Sequence, residues 1–210
     1  MRAAPSVLLR NGVGVEDPVR IVLGCIEAGW ALPAGDPSPP ASFGEPDLRL
    51  ANRGGARISA AEIAAVLARR RMIERALRAI AAGATLAGPA EAVPWPQLRR
   101  LFDCFAGLRG VGLSKTTKTL HPKRPALVPM LDSVVQRYLR DDDLGVKAPL
   151  GERALALVRG YKRDLDRNQA AVRAVRQALG RRGYGLTEVR ILDLLIWSVE
   201  TAPRGLPLDG

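Results

Sequence analysis

Apolar residues return every three or four positions over most of this chain, and no stretch alternates with period two for long. That pattern specifies helices with one buried stripe and leaves little room for a sheet. The clearest run begins at residue 58, "ISAAEIAAVLARRRMIERALRAIAAG". There Ile63, Val66, Leu67, Ile73, Leu77 and Ile80 recur near the helical repeat. Ser59 and Glu62 stand at capping-box spacing. The run therefore predicts one long helix over about 59–82, stopped by Gly83. A shorter helix is expected over 17–28, capped by Asp17 with Pro18 in its first turn. Further helices are expected over about 96–106 and across 152–183, the latter bent at Gly160, with a last one behind the capping Thr187. Residues 32–47, "LPAGDPSPPASFGEPD", hold five prolines and two glycines and are expected to be an irregular loop. The expected class is all-α, a helical bundle forming a single domain over residues 1–210.

A chain of 210 residues with 47% hydrophobic content can bury one substantial core. Its formal net charge of +11 favours a polyanionic partner, with nucleic acid first. An anionic membrane competes, but no apolar run reaches spanning length. The N-terminus carries no sustained apolar segment of the signal-peptide kind. A soluble, cytoplasmic monomer is the expectation. Cys25 and Cys104 are far apart, and His121 is the single histidine. Such a set falls short of the four ligands a zinc site or iron–sulfur cluster takes, so neither metal nor other cofactor is expected. Both cysteines are expected to be buried and unpaired.

The charge is concentrated. Residues 98–140 carry nine basic and two acidic residues, whereas residues 1–50 carry four basic and six acidic. At the centre of the basic segment is "LRGVGLSKTTKTL", residues 108–120. Gly110 and Gly112 permit a tight turn. A helix starting after the second glycine directs unpaired backbone N–H groups, and the positive end of its dipole, outward. That arrangement suits phosphate. Ser114, Lys115 and Lys118 lie in the first turns and can add donors. The plain alternative is a corner between two helices with scattered lysines. The arginines Arg69, Arg70, Arg71, Arg75 and Arg78 pose the same choice between a nucleic-acid groove and a solvated helix face.

This stretch resembles the helix-hairpin-helix motif of DNA-binding proteins, of the form L-P-G-V-G-x-x-x-A-x-x-[VIL]. Arg109 stands where proline is usual and Thr116 where alanine is usual, departures expected to be tolerable on a surface turn. Asp132, eighteen residues after Ser114, stands in "LDSVVQR", residues 131–137. That run is similar to the V-D-T-H-V-x-R segment that follows the hairpin in the helix-hairpin-helix DNA glycosylase superfamily, with Val134 in place of the histidine. The resemblance covers about a fifth of the chain. It implies a glycosylase-like fold and assigns Asp132 the role of the carboxylate that stabilises the cationic sugar or activates water. It implies duplex DNA as partner, held by backbone contacts from Arg109, Gly110, Gly112, Ser114, Lys115, Lys118 and Arg137. In bifunctional members a lysine forms a Schiff base with the sugar. Ser114 occupies that position, and Lys115, about 100° further round the helix, is expected to face elsewhere. The resemblance is thus to a monofunctional DNA glycosylase that removes a damaged or modified base.

The residues also admit a plainer account of Asp132, as the N-cap of a helix beginning at Ser133. The two roles are compatible. An enzyme that extrudes a nucleotide usually stacks it on aromatic or apolar side chains, yet only 4% of the chain is aromatic. Trp30 is the best placed to line a pocket. Trp95, Tyr138 and Trp197 are expected in the core, and His121 at a helix terminus. The competing functional reading is a non-catalytic helix-hairpin-helix DNA-binding module. A third is a domain whose basic face meets an acidic protein.

Overall fold

The structure is a computed structural model, which describes residues 6–30 and 38–202. Among these residues ten α-helices run in order: α1 (Pro18–Glu27), α2 (Glu45–Arg53), α3 (Ala60–Leu67), α4 (Arg70–Arg78), α5 (Trp95–Asp103), α6 (Leu113–Leu120), α7 (Ser133–Tyr138), α8 (Leu150–Arg167), α9 (Gln169–Gly180) and α10 (Glu188–Thr201). The only strands among the described residues are a two-residue antiparallel pair, β1 (Val7–Leu8) and β2 (Gly14–Val15), with Val7 opposite Val15. The class is all-α.

Helix α10 is the axis of the molecule. Every residue from Glu188 to Ile196 is buried, as expected for a helix apolar nearly all round. It packs against α1, α7, α8 and α9. A second layer pairs α5 with α8 and α4 with α5, while α2 lies against α6. Tyr161 and Phe102 are fully enclosed. Cys25 and Cys104 are buried and free. No helix among the described residues is long and apolar enough to cross a membrane.

Local signals placed several helix starts. The Asp17 side chain accepts from Arg20 N, Ser59 and Glu62 form their capping box, and Thr187 accepts from Arg190 N. Other expectations are corrected. The long helix over 59–82 is two helices broken at Ala68–Arg69. No glycine or proline marks the break. It is set by Arg69, whose guanidinium reaches across to the carbonyls of Cys104 (3.1 Å) and Ala106 (2.6 Å) at the end of α5. The break between α8 and α9 falls at Asn168, not Gly160. Asn168 leaves helical geometry to bond both the N–H and the carbonyl of Leu8. Gly160 is buried inside α8, where a Cβ would collide with the Asp142 carboxylate. Residues 32–37 of the proline-rich loop lie outside the described residues. Its far end is not loop, because Gly44 N bonds Asp47 Oδ2 at 2.8 Å and α2 begins at Glu45.

Part of the basic surplus is internal. Lys123 and Asp47 form an ion pair at 3.2 Å that is closed to solvent on both sides. The same ammonium donates to the carbonyls of Ser38 and Pro39. Arg124, also buried, donates to the carbonyls of Leu77 and Ile80 at the end of α4. These two cations are struts of the fold rather than a surface.

Candidate functional site

Helices α5 and α6 meet at a tight corner. Gly107 and Gly110 turn it with φ of +73° and +79°, which only glycine adopts without strain. Gly112 differs from the expectation: it is extended (φ −91°, ψ −170°) and caps α6. The first N–H groups of α6 have no carbonyl partner within the helix. Arg109 is exposed at the corner and Ser114 is half-buried. Thr116 is not on a surface turn. It is fully buried, and its hydroxyl has no partner among the described residues.

The two lysines of α6 diverge. Lys115 is turned to Glu62 and bonds both carboxylate oxygens at 2.7 Å. That bond, before any other cause, holds the Glu62 carboxyl below its usual range. Lys115 is therefore committed to the fold. Lys118, one turn after Ser114, has only a 3.3 Å bond to Gly55 O and pairs with no carboxylate among the described residues. It lines a cavity of about 300 Å³.

Asp132 lines the same cavity. It caps α7, its Oδ1 accepting from Val134 N and Val135 N, both at 3.0 Å. Its Oδ2 takes no hydrogen bond from the described residues. The segment is fixed to the hairpin helix by Leu131 N, which donates to Thr117 Oγ1 at 3.0 Å. Asp132 is thus the N-cap of α7 and, at the same time, part of the cavity wall.

The mouth of the cavity has Trp30 and Trp197, packed edge to face with ring centroids 4.5 Å apart, beside Arg53 and Gly54. Trp30 is 49% exposed. Trp197 was expected in the core and is instead only partly buried, against this opening. The inner end is formed by Met130, Arg190, Asp193 and Leu194. Arg190 Nη2 donates to Trp30 O at 2.5 Å, and Nη1 lies 3.9 Å from the Met130 sulfur. Its buried Nε has no partner among the described residues. Asp193 Oδ2 accepts from Met130 N at 3.2 Å, while the buried Oδ1 has no partner among the described residues. Burial pushes the Asp193 carboxyl up to about 7, against the pull of Arg190.

The sequence pattern missed Arg190, Asp193 and Arg53. A signal existed for the first two: they are the only charges between Val189 and Ser198, one helical turn apart. Charges in an apolar helix require a partner or a purpose.

Other expected residues lie apart from this cavity. Arg137 is exposed, stands 3.7 Å from a Glu200 oxygen, and lines a different groove with Arg10, Arg140 and Arg163. His121 closes α6 as expected and is wholly buried. Its Nδ1 is 2.7 Å from Val128 O, and burial, then Arg190, lowers it to about 4. Tyr138 is in the core, beneath the Arg10 guanidinium, and Trp95 is half-buried beneath that of Arg159. Arg71, Arg75 and Arg78 are exposed on α4, and Arg70 pairs with Glu74 at 2.9 Å.

Fold and site together define an all-α protein with a mixed-charge cavity, rimmed by tryptophan and set beside a helical corner. Residues 36–200 match the family of unknown function DUF6308, and the chain belongs to that family. No curated protein and no solved structure matches it.

Proposed function

We propose that this chain binds duplex DNA by its backbone around the α5–α6 corner and acts as a monofunctional DNA glycosylase on an extruded base. The observation that carries the reading is the shared cavity: Asp132, Lys118, Trp30 and Trp197 line one space of about 300 Å³. Cleavage of an N-glycosidic bond leaves positive charge on the sugar. A carboxylate held beside it, away from bulk water, offsets that charge. Asp132 suits the task, since two backbone amides fix Oδ1 and leave Oδ2 open. Lys118 and Arg53 can meet the flanking phosphates at the rim. The tryptophans offer an apolar wall for a base taken out of its stack. Position 114 is serine and Lys115 is bound to Glu62. Both support base removal without Schiff-base strand cleavage.

The test is a panel of duplexes carrying damaged and modified bases, scored for abasic sites by alkaline cleavage. Cleavage is expected for at least one duplex, with strands intact before alkali. Asp132→Asn should lower the rate by on the order of 10²-fold or more. Asparagine is also a good cap, so stability should shift by less than about 1 kcal/mol. An unchanged rate in the Asn variant sinks the catalytic role of Asp132. Strand breaks without alkali sink the monofunctional assignment. DNA binding with no cleavage of any duplex supports the non-catalytic module instead.

A further inference from the structure

We infer that Arg190 and Asp193 form the recognition edge of this cavity, and that its occupant is a neutral heterocycle presenting a carbonyl acceptor beside an N–H donor. A uracil-type pyrimidine and an oxopurine carry such a lactam edge. The inference deepens the function proposed above and rests on it for the identification of the occupant as a nucleobase.

The argument begins with two charges on α10. Arg190 and Asp193 stand three residues apart, the spacing at which opposite charges on a helix meet. Both are buried, at 8% and 2% exposure. Yet no ion pair joins them. Among the described residues, Arg190 Nε and Asp193 Oδ1 are each left without a partner: the Tyr161 hydroxyl faces the Asp193 carboxyl but donates its one proton to Val189 O at 2.5 Å. Buried polar groups are nearly always satisfied, and an orphan of this kind calls for a ligand or ordered water. Two orphans, one donor and one acceptor, on residues that line the same cavity describe a complementary edge. A guanidinium only donates and never accepts. The facing group of the occupant must therefore be an acceptor. The neighbouring carboxylate, when ionised, only accepts, so the occupant must offer an N–H beside it.

Size and surroundings agree. A volume of about 300 Å³ is at the small end of ligand cavities, which suits one ring system rather than a whole nucleotide. Met130 and Leu194 supply apolar faces at the inner end, and the two tryptophans stand at the mouth. The guanidinium is also positioned by its 2.5 Å bond to Trp30 O, so the recognition edge and the aromatic mouth are tied together.

The experiment uses 1-methyluracil and 1-methylcytosine, with ring N1 blocked as it is in a nucleoside, as probes with the full chain at pH 8, and follows quenching of the tryptophan fluorescence. With N1 blocked, cytosine has an amino group and an unprotonated ring nitrogen where uracil has the lactam edge, and it keeps no other carbonyl beside an N–H. Saturable quenching by uracil is expected, with cytosine at least about tenfold weaker, the difference of one charged hydrogen bond. Asp193→Asn removes the charge with little change of shape and should weaken uracil by at least about tenfold. Arg190→Gln should do the same. Circular dichroism and melting of each variant establish that it is folded. Equal binding of both bases, no saturable quenching by either, or full uracil affinity in a folded Asp193→Asn protein overturns the inference. Duplexes with the same bases separate the two claims. Discrimination among free bases without cleavage of any duplex ends the glycosylase reading alone. Excision confined to bases with an amino edge ends this inference alone.

Discussion

Asp193 and His121 are both sealed in the protein near Arg190, and burial moves them in opposite directions from their ordinary values, to about 7 and about 4. Each shift makes stability depend on pH. The Asp193 carboxyl ordinarily titrates near 3.8. Between pH 3.8 and 7 the folded protein holds a proton that the unfolded chain has released, so the Asp193 contribution is lost as pH rises through this window. Asp193→Asn has no such proton. Its stability relative to wild type should rise by on the order of 1 kcal/mol per pH unit across that window, then level off. Denaturant unfolding at pH 5, 6, 7 and 8 measures the gap, and a constant gap contradicts the assignment. His121 works the other way. It is neutral when folded and takes a proton when unfolded below 6.5, so its contribution is lost as pH falls from 6.5 to about 4. His121→Gln should blunt the acid loss. Neither behaviour was legible in the sequence, because it arises from the packing of α10 against the segment that follows α6. The presence of charges at 190 and 193 was legible; their failure to pair was not.

At the scale of elements, the α5–α6 corner separates roles that look equivalent in sequence. Gly110 and Gly112 are two positions apart, but only Gly110 has positive φ. A Cβ at 110 would also meet the Glu62 carboxylate, while one at 112 meets nothing within 4 Å. Gly110→Val should destabilise by on the order of 1–3 kcal/mol. Gly112→Val should cost less than about 1 kcal/mol. Thermal melts of both decide this, and equal losses would show that the corner is not strained at 110. Lys115 and Lys118 divide in the same way. Lys118→Glu should weaken DNA binding with little change in melting temperature. Lys115→Gln should lower the melting temperature, because Glu62 loses its partner, and leave affinity unchanged. Caps and the corner itself were legible because they are set by residues within one turn. Asp17, Ser59, Asp132 and Thr187 all cap as their sequence context suggests. The breaks at Arg69 and Asn168 were not, since each is made by a side chain bonding a segment more than 30 residues away.

For the whole molecule, net charge is a poor map of where a polyanion would lie. Of the nine cations between residues 98 and 140, Lys123 and Arg124 are internal and Lys115 is neutralised by Glu62. Arg99 pairs with Glu152 at 2.7 Å, and Arg137 lies in another groove beside Glu200. What faces the cavity mouth is a smaller set drawn from two parts of the chain: Lys118 from α6 and Arg53 from the end of α2, with Arg109 exposed at the corner. Packing of α2 on α6 brings the first two together, which no local pattern reveals. Each phosphate neutralised on duplex DNA releases counterions and adds about 0.9 to the slope of log affinity against log salt. Three cations of this kind predict a slope near −3 for the wild type, much less than the formal charge of +11 suggests. Replacing Arg53, Arg109 or Lys118 by glutamine should each reduce the slope by about 1. Replacing Arg137 or Arg75 by glutamine should leave it unchanged, although both are exposed arginines on the same basic protein. Fluorescence anisotropy with a labelled duplex at several salt concentrations gives all six slopes. A flat wild-type line removes phosphate binding altogether. A loss of slope on replacing Arg137 or Arg75, with none on replacing Lys118, moves the DNA to another face and detaches it from the cavity that holds Asp132.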